Sequence, residues 1–296
     1  MEVLLPTTLE EALAMKAEHP EALPIAGGTD VMVELNFDRG RPETILDICR
    51  LPELREWRRD DGHVFLGAGV PYTAIMRDLP DQTSLAQASR TVGSPQIRNR
   101  GTVGGNLGTA SPAGDALPPL AVYDAEVVLA RVGGSERSIA WDEFLLGVKR
   151  TAMEPDELIL GARWKAPRGP GSFSKIGTRN AMVISVAGVA FQLDEDSRAV
   201  KVALGSVAPT IVRAPEAESF AAGALEEAGL WDDPHAELAD GAQQRFGELA
   251  ASAARPIDDV RGTAAYRAHG VRILATRALA WALDARRGTT GSGEGT

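Results

Sequence analysis

Between Asn99 and Asp115 the chain reads Asn-Arg-Gly-Thr-Val-Gly-Gly-Asn-Leu-Gly-Thr-Ala-Ser-Pro-Ala-Gly-Asp, with Val103 and Leu107 as its only sizeable apolar side chains. A segment this poor in apolar surface is not expected to serve the core. It offers bare backbone N–H groups and short polar side chains. Glycine lets the main chain approach a ligand closely, and successive N–H groups form a concavity for anions. A shorter segment, Ala26-Gly27-Gly28-Thr29-Asp30, has the same character. The pair predicts two loops closing on one anionic ligand.

Charge and cysteine count narrow the chemistry. The 296 residues carry 41 acidic and 31 basic side chains, a formal charge of −10, which predicts no nucleic-acid footprint. No apolar run is long enough to span a bilayer, and the N-terminus lacks a basic leader, so a cytoplasmic location is expected. Cys49 is the only cysteine, which excludes an intrachain disulfide and a cysteine-ligated iron–sulfur cluster within this chain. His19, His63, His235 and His269 are far apart and fall in no metal-ligand spacing, so no metal is expected. Any redox cofactor is then organic. No Ser/His/Asp or Cys/His set suggests a hydrolase, and no residue is nominated as a catalytic acid, base or nucleophile. Neither the Gly-x-x-x-x-Gly-Lys-Ser/Thr loop nor a Gly-x-Gly-x-x-Gly between strand and helix is present.

Patterning predicts a mixed chain. Thr8 and Glu11 form a capping pair for a helix to about Glu18, and Ala22–Ile25 is a short strand entering the first glycine turn. Asp30–Leu35 is a helical turn and Thr44–Ile48 a strand. Glu56–Arg59 and His63–Ala68 make a hairpin around Asp61-Gly62. Helices are expected at 72–79, 84–92 and 115–123, with strands at 126–131, 137–140 and 158–164. The turn-rich run 165–171 marks a domain boundary. Beyond it three antiparallel strands are expected at 172–177, 182–193 and 200–207, then helices at 214–224, 237–252 and 263–286. A disordered tail is expected over 287–296.

Taken together, Ala26–Asp30, Thr102-Val103-Gly104-Gly105-Asn106 and Ala110-Ser111-Pro112-Ala113-Gly114-Asp115 resemble the FAD-binding medium subunit of the molybdenum hydroxylases, the family of bacterial xanthine dehydrogenase and carbon monoxide dehydrogenase. Ile97-Arg98-Asn99, Lys175–Ala181, Gly205–Thr210 and Ala254–Arg261 agree with it, and the resemblance runs from about Glu2 to Leu283. It implies an α+β fold: a two-subdomain FAD-binding domain of the p-cresol methylhydroxylase type over 1–166, with subdomains of about 1–55 and 56–166. A C-terminal three-stranded antiparallel sheet with helices would follow over 171–286.

The resemblance implies non-covalent FAD along Pro24, Ile25, Ala26, Gly27, Gly28, Thr29, Asp30 and Val31, and along Thr102, Val103, Gly104, Gly105 and Asn106. Val92, Gly101, Thr109 and Ser111 would lie beside it. Asp115 would hold a sugar hydroxyl, Ile159 would contact the cofactor by main chain, and Lys175 would approach the flavin. The implied role is an electron-transfer subunit of a heterotrimer. The molybdenum cofactor would sit on a large partner and 2Fe–2S clusters on a small one, and electrons would pass through FAD to NAD+. Xanthine dehydrogenase is the leading expectation. A carbon monoxide, aldehyde or N-heterocycle dehydrogenase using a quinone or another acceptor is an alternative, and a flavin-free scaffold subunit a second.

Overall fold

The computed structural model describes residues 1–37 and 40–290. Contacts divide the chain differently from a single cut near residue 166. One unit comprises Met1–Pro80, Val92–Ser111 and Asp124–Ala166. The other comprises Asp81–Thr91, Pro112–Tyr123 and the chain from Pro167 onward.

The first unit begins with a parallel three-stranded sheet in which Thr44–Asp47 lies between Glu2–Leu4 and Leu23–Ile25. The helix Leu9–Glu18 connects the outer two, with Thr8 Oγ1 accepting the Glu11 N–H at 3.2 Å. The Glu11 carboxylate reaches past Thr8 to the N–H and hydroxyl of Thr7, both at 2.7 Å. Near the helix end the buried Lys16 donates to the carbonyls of Pro20 and Ala22 at 2.7 Å. Those bonds fix the chain reversal that delivers Leu23–Ile25, and therefore the first glycine turn, in one direction.

A five-stranded antiparallel sheet follows in the order Trp57–Asp60, His63–Gly67, Leu158–Lys165, Glu126–Ala130, Glu136–Ala140. The expected hairpin around Asp61-Gly62 is its first edge. Glu157, almost wholly buried, ties the other edge to the central strand. It accepts a two-pronged bond from Arg137 (2.7 and 2.8 Å) and one from Arg131 (3.2 Å). These cations hold its carboxyl down at about 2. A bulge between Ile159 and Gly161 bends the central strand.

The glycine-rich segment departs from expectation. Val103–Thr109 is helical, capped by Thr102, whose Oγ1 accepts the Gly105 N–H at 2.9 Å. Val103 and Leu107 are each 1% exposed and belong to the core. Two well-spaced apolar side chains suffice to anchor two helical turns once glycine allows close packing on the other face.

The second unit holds an antiparallel sheet in the order Gly171–Ile176, Ala187–Asp194, Ala199–Gly205, Val212–Arg213. The fourth strand, only two residues long, adds to the expected three; Arg213 is held there by Glu218 at 2.5 and 2.9 Å. The second strand starts at Ala187 rather than Met182, because Met182 takes a left-handed φ of 54° and the chain turns before the Val186 N–H bonds Ile176 O. The expected helix at 115–123 shortens to Leu117–Val122. Helices Pro215–Glu227, Ala242–Ala253 and Ala264–Thr290 bury their apolar faces with the sheet, around an edge-to-face pair of Phe191 and Phe246 at 5.9 Å. The last helix runs beyond the expected end at Arg286, whose guanidinium donates to Trp231 O and Glu195 while Arg287 donates to Pro234 O. The expected tail is thus helical over 287–290, and its remainder, 291–296, lies outside the described residues.

Candidate functional site

The two glycine segments meet in the first unit at a cleft of about 360 Å³. Pro24, Ala26, Gly27, Gly28, Thr29, Asp30 and Val31 line one side, and Thr102, Gly104, Gly105, Asn106 and Thr109 line another. Val92 and Ile159 complete the nominated residues that reach it. Two larger surface hollows, of about 610 and 620 Å³, include charged residues such as Arg55, Arg77, Arg58 and Asp60 in their lining and no residue of 26–30 or 102–109.

The lining also includes residues the sequence did not nominate: Leu23, Glu34, Ile48, Ala68, Tyr72, Ile97, Gly108, Lys149, Met153 and Leu158. Glu34 follows Asp30 by one helical turn, a spacing that would have flagged it. Lys149 lies on a hairpin far along the chain and carries no local signal. Conversely, Ile25, Gly101, Val103, Ser111, Asp115 and Lys175 do not line the cleft. Val103 is core, and Gly101 packs under the Tyr72 ring, 3.2 Å from where a Cβ would stand.

The glycines divide by what faces them. A Cβ on Gly27 would lie 2.0 Å from the Arg100 carbonyl oxygen, and one on Gly104 would lie 2.5 Å from Ala68. These two let backbone meet backbone. A Cβ on Gly105 would find only the Thr102 hydroxyl at 3.3 Å, and one on Gly108 only Ile159 at 3.6 Å. Gly28 has similar room, with nothing nearer than 3.7 Å, and a left-handed φ of 74° that disfavours any side chain.

The amides divide in the same way. The N–H groups of Gly27, Gly28, Thr29 and Asp30 meet no protein acceptor among the described residues. In the second segment the Gly104 N–H goes to Ala68 O at 3.2 Å and the Gly105 N–H to Thr102 Oγ1 at 2.9 Å. The expectation that both segments offer free amides is therefore corrected. The first supplies donors, and the second supplies bare surface and polar side chains because its amides cap and anchor a helix. A strap joins them, Thr109 Oγ1 donating to Asp30 Oδ2 at 2.9 Å. Four unpartnered backbone donors beside side-chain-free space fit a diphosphate and the chain flanking it.

Asp115 and Lys175 form a closed polar cluster inside the second unit. Lys175 Nζ donates to Asp115 Oδ2 at 2.5 Å, to Thr91 O at 2.9 Å and to Val183 O at 3.1 Å, which uses all three of its hydrogens. Ser185 donates to Asp115 Oδ1 at 2.7 Å and Thr91 to Oδ2 at 3.3 Å. Burial pushes the Asp115 carboxyl upward, opposed by Lys175, Ser185 and Thr91. Among the described residues no group of His, Cys, Asp and Glu is arranged to hold a metal, and no helix is long and apolar enough to cross a membrane.

A mixed fold that brings two glycine segments and a row of unpartnered amides to one cleft, with neither standard phosphate loop, suits an anionic ligand of dinucleotide type. Residues 1–163 match the model of the FAD binding domain in molybdopterin dehydrogenase, and residues 172–282 that of the CO dehydrogenase flavoprotein C-terminal domain. The chain belongs to this family, the FAD-binding subunits of the molybdenum hydroxylases, and is an oxidoreductase subunit. It is 35% identical to the nicotinate dehydrogenase FAD-subunit of Eubacterium barkeri over 66% of this chain and 69% of that protein. It is 32% identical to the putative xanthine dehydrogenase FAD-binding subunit of Escherichia coli over 72% of this chain and 76% of that one. Carbon monoxide dehydrogenase from Hydrogenophaga pseudoflava, in a structure lacking the Mo-pyranopterin moiety of its molybdenum cofactor, contains a chain that superimposes with a TM-score of 0.82. The two are 29% identical, with 97% of this chain and 98% of that one covered.

Proposed function

We propose that this chain carries FAD as the electron-transfer subunit of a cytoplasmic xanthine dehydrogenase-type complex. Electrons enter from 2Fe–2S clusters on a small partner, and leave to NAD+. Substrate is hydroxylated at a molybdenum cofactor on a large partner. The observation that carries the reading is the run of unpartnered amides from Gly27 to Asp30 in the cleft that Gly105 and Gly108 also line. The names of the relatives support an N-heteroaromatic substrate, xanthine and nicotinate among them.

When bound, FAD supplies a carrier that takes up electrons and returns them to an acceptor. The protein's part is to hold and shield it. The Gly27–Asp30 amides bind the diphosphate, each as a charge-assisted contact of about 1.5–3 kcal/mol. Gly105 and Gly108 let the cofactor lie against the main chain, and Tyr72, Ile97, Met153 and Leu158 exclude water from its apolar parts. Attachment is non-covalent, since neither glycine segment offers a histidine, cysteine or tyrosine to bond the ring.

The first test is the visible spectrum of the purified chain, where flavin bands are expected and a colourless folded protein would favour a scaffold. The second is purification of the native complex, assayed with xanthine, nicotinate, carbon monoxide and aldehydes, each against NAD+ and a dye. Turnover of xanthine with NAD+ is expected. Turnover of another substrate alone, or reduction of the dye alone, would reassign substrate or acceptor.

A further inference from the structure

Among the described residues that line the cleft, Lys149 is the one cationic side chain, and Asp30 and Glu34 add carboxylates. A dinucleotide adds two further negative charges to a lining that is already net acidic. Lys149 sits in the tight turn between strands Leu145–Gly147 and Arg150–Thr151, with a left-handed φ of 56°. Its N–H donates to the carbonyl of Ala110, the C-cap of the glycine-rich helix, at 3.1 Å. The turn is thereby anchored beside the second glycine segment. The Lys149 ammonium crosses to the carboxylate of Glu34, on the short helix that follows the first segment.

Both ends of this ion pair are well hydrated, at 57% exposure for Lys149 and 42% for Glu34. A solvated pair of this kind holds weakly and is cheap to break. A diphosphate held in the same cleft would compete for that ammonium with two negative charges against the single charge of Glu34. Glu34, once released, returns to water.

We propose that Glu34 is a placeholder, and that Lys149 exchanges it for a phosphate oxygen of the dinucleotide when the cleft fills. This rests on the FAD reading above. It makes Lys149 a binding residue and Glu34 a competitor that lowers affinity. A purely mechanical role, in which the pair latches the hairpin to the helix, requires the opposite sign for Glu34.

The experiment uses the full chain freed of flavin and titrated separately with FAD, ADP and riboflavin by calorimetry. Lys149→Gln is expected to weaken FAD and ADP about tenfold, the loss of one charge-assisted contact, and to leave riboflavin unchanged. Glu34→Gln is expected to tighten FAD and ADP by about two- to fivefold, and Lys149→Arg to retain most of the wild-type affinity. Thermal melts of the free variants are expected to match the wild type. If Glu34→Gln weakens FAD as Lys149→Gln does, or if Lys149→Gln weakens riboflavin equally, the exchange is wrong and the latch remains. A wild-type chain that binds none of the three ligands would remove the cofactor reading, and the proposal with it.

Discussion

The cleft of the first unit and the Asp115–Lys175 cluster of the second are both polar centres, and the family resemblance nominated residues in both. They differ in how their hydrogen bonds are used. In the cluster every Lys175 hydrogen has an acceptor and both Asp115 oxygens have donors. In the cleft four successive amides have none among the described residues. A closed network stabilises the fold that contains it. An open row of donors is costly unless water or a ligand satisfies it. The cluster is thus satisfied by the protein alone, whereas the cleft has donors to offer a ligand.

The largest effect that would test this contrast comes from Lys175→Met. It leaves a buried carboxylate without its cation and is expected to cost about 3–5 kcal/mol of stability at neutral pH, read by urea denaturation. The sign with pH is a second check. Without Lys175 the folded Asp115 carboxyl lies still further above its unfolded value. The variant is then penalised least below the ordinary carboxylate range and increasingly as pH rises through it. A variant of wild-type stability at all pH values would place Lys175 with the open site instead.

Next in size is Gly27→Ala, whose Cβ would sit 2.0 Å from the Arg100 carbonyl oxygen. About 3 kcal/mol of destabilisation is expected from forcing that backbone apart, with flavin lost as a consequence. Glu157→Gln should cost about 2 kcal/mol at neutral pH, since its carboxyl is held at about 2 against an ordinary 4.5 and its arginine partners are partly exposed. Because that value is depressed, the stabilisation is full above 4.5 and disappears as pH falls toward 2, a loss the variant should not show in acid denaturation.

Smallest in stability, and most telling for the cleft, is Gly105→Ala. Its Cβ meets only a hydroxyl at 3.3 Å and alanine suits a helix, so the folded chain should change by less than about 1 kcal/mol. FAD affinity should nevertheless fall about tenfold or more, measured by flavin fluorescence. Equal affinity would show that the bare surface faces no ligand and would collapse the distinction between cleft and cluster.

Much of this is legible in the sequence. The hairpin around Asp61-Gly62, the capping pair at Thr8 and Glu11, and the central strand near Leu158–Trp164 are written in local pattern. The helix through Val103–Thr109 was not, because glycine predicts against helix. What outweighs propensity there is burial of Val103 and Leu107 and the close approach of Gly104 to Ala68, a residue distant in sequence. The two-residue strand Val212–Arg213 and the turn at Met182 likewise depend on partners distant in the chain.

The order of residues alone determined that two glycine-rich segments would lack side-chain bulk, that acidic composition would leave backbone rather than clustered cations to meet an anion, and that the family was recognisable. Only the tertiary structure decided which amides stay free, which glycines face backbone and which face open space, and that Lys149 would be brought to the cleft. Hydrogen-bond donors look the same in sequence whether or not an acceptor lies opposite. That acceptor is supplied by folding, from residues no local pattern connects.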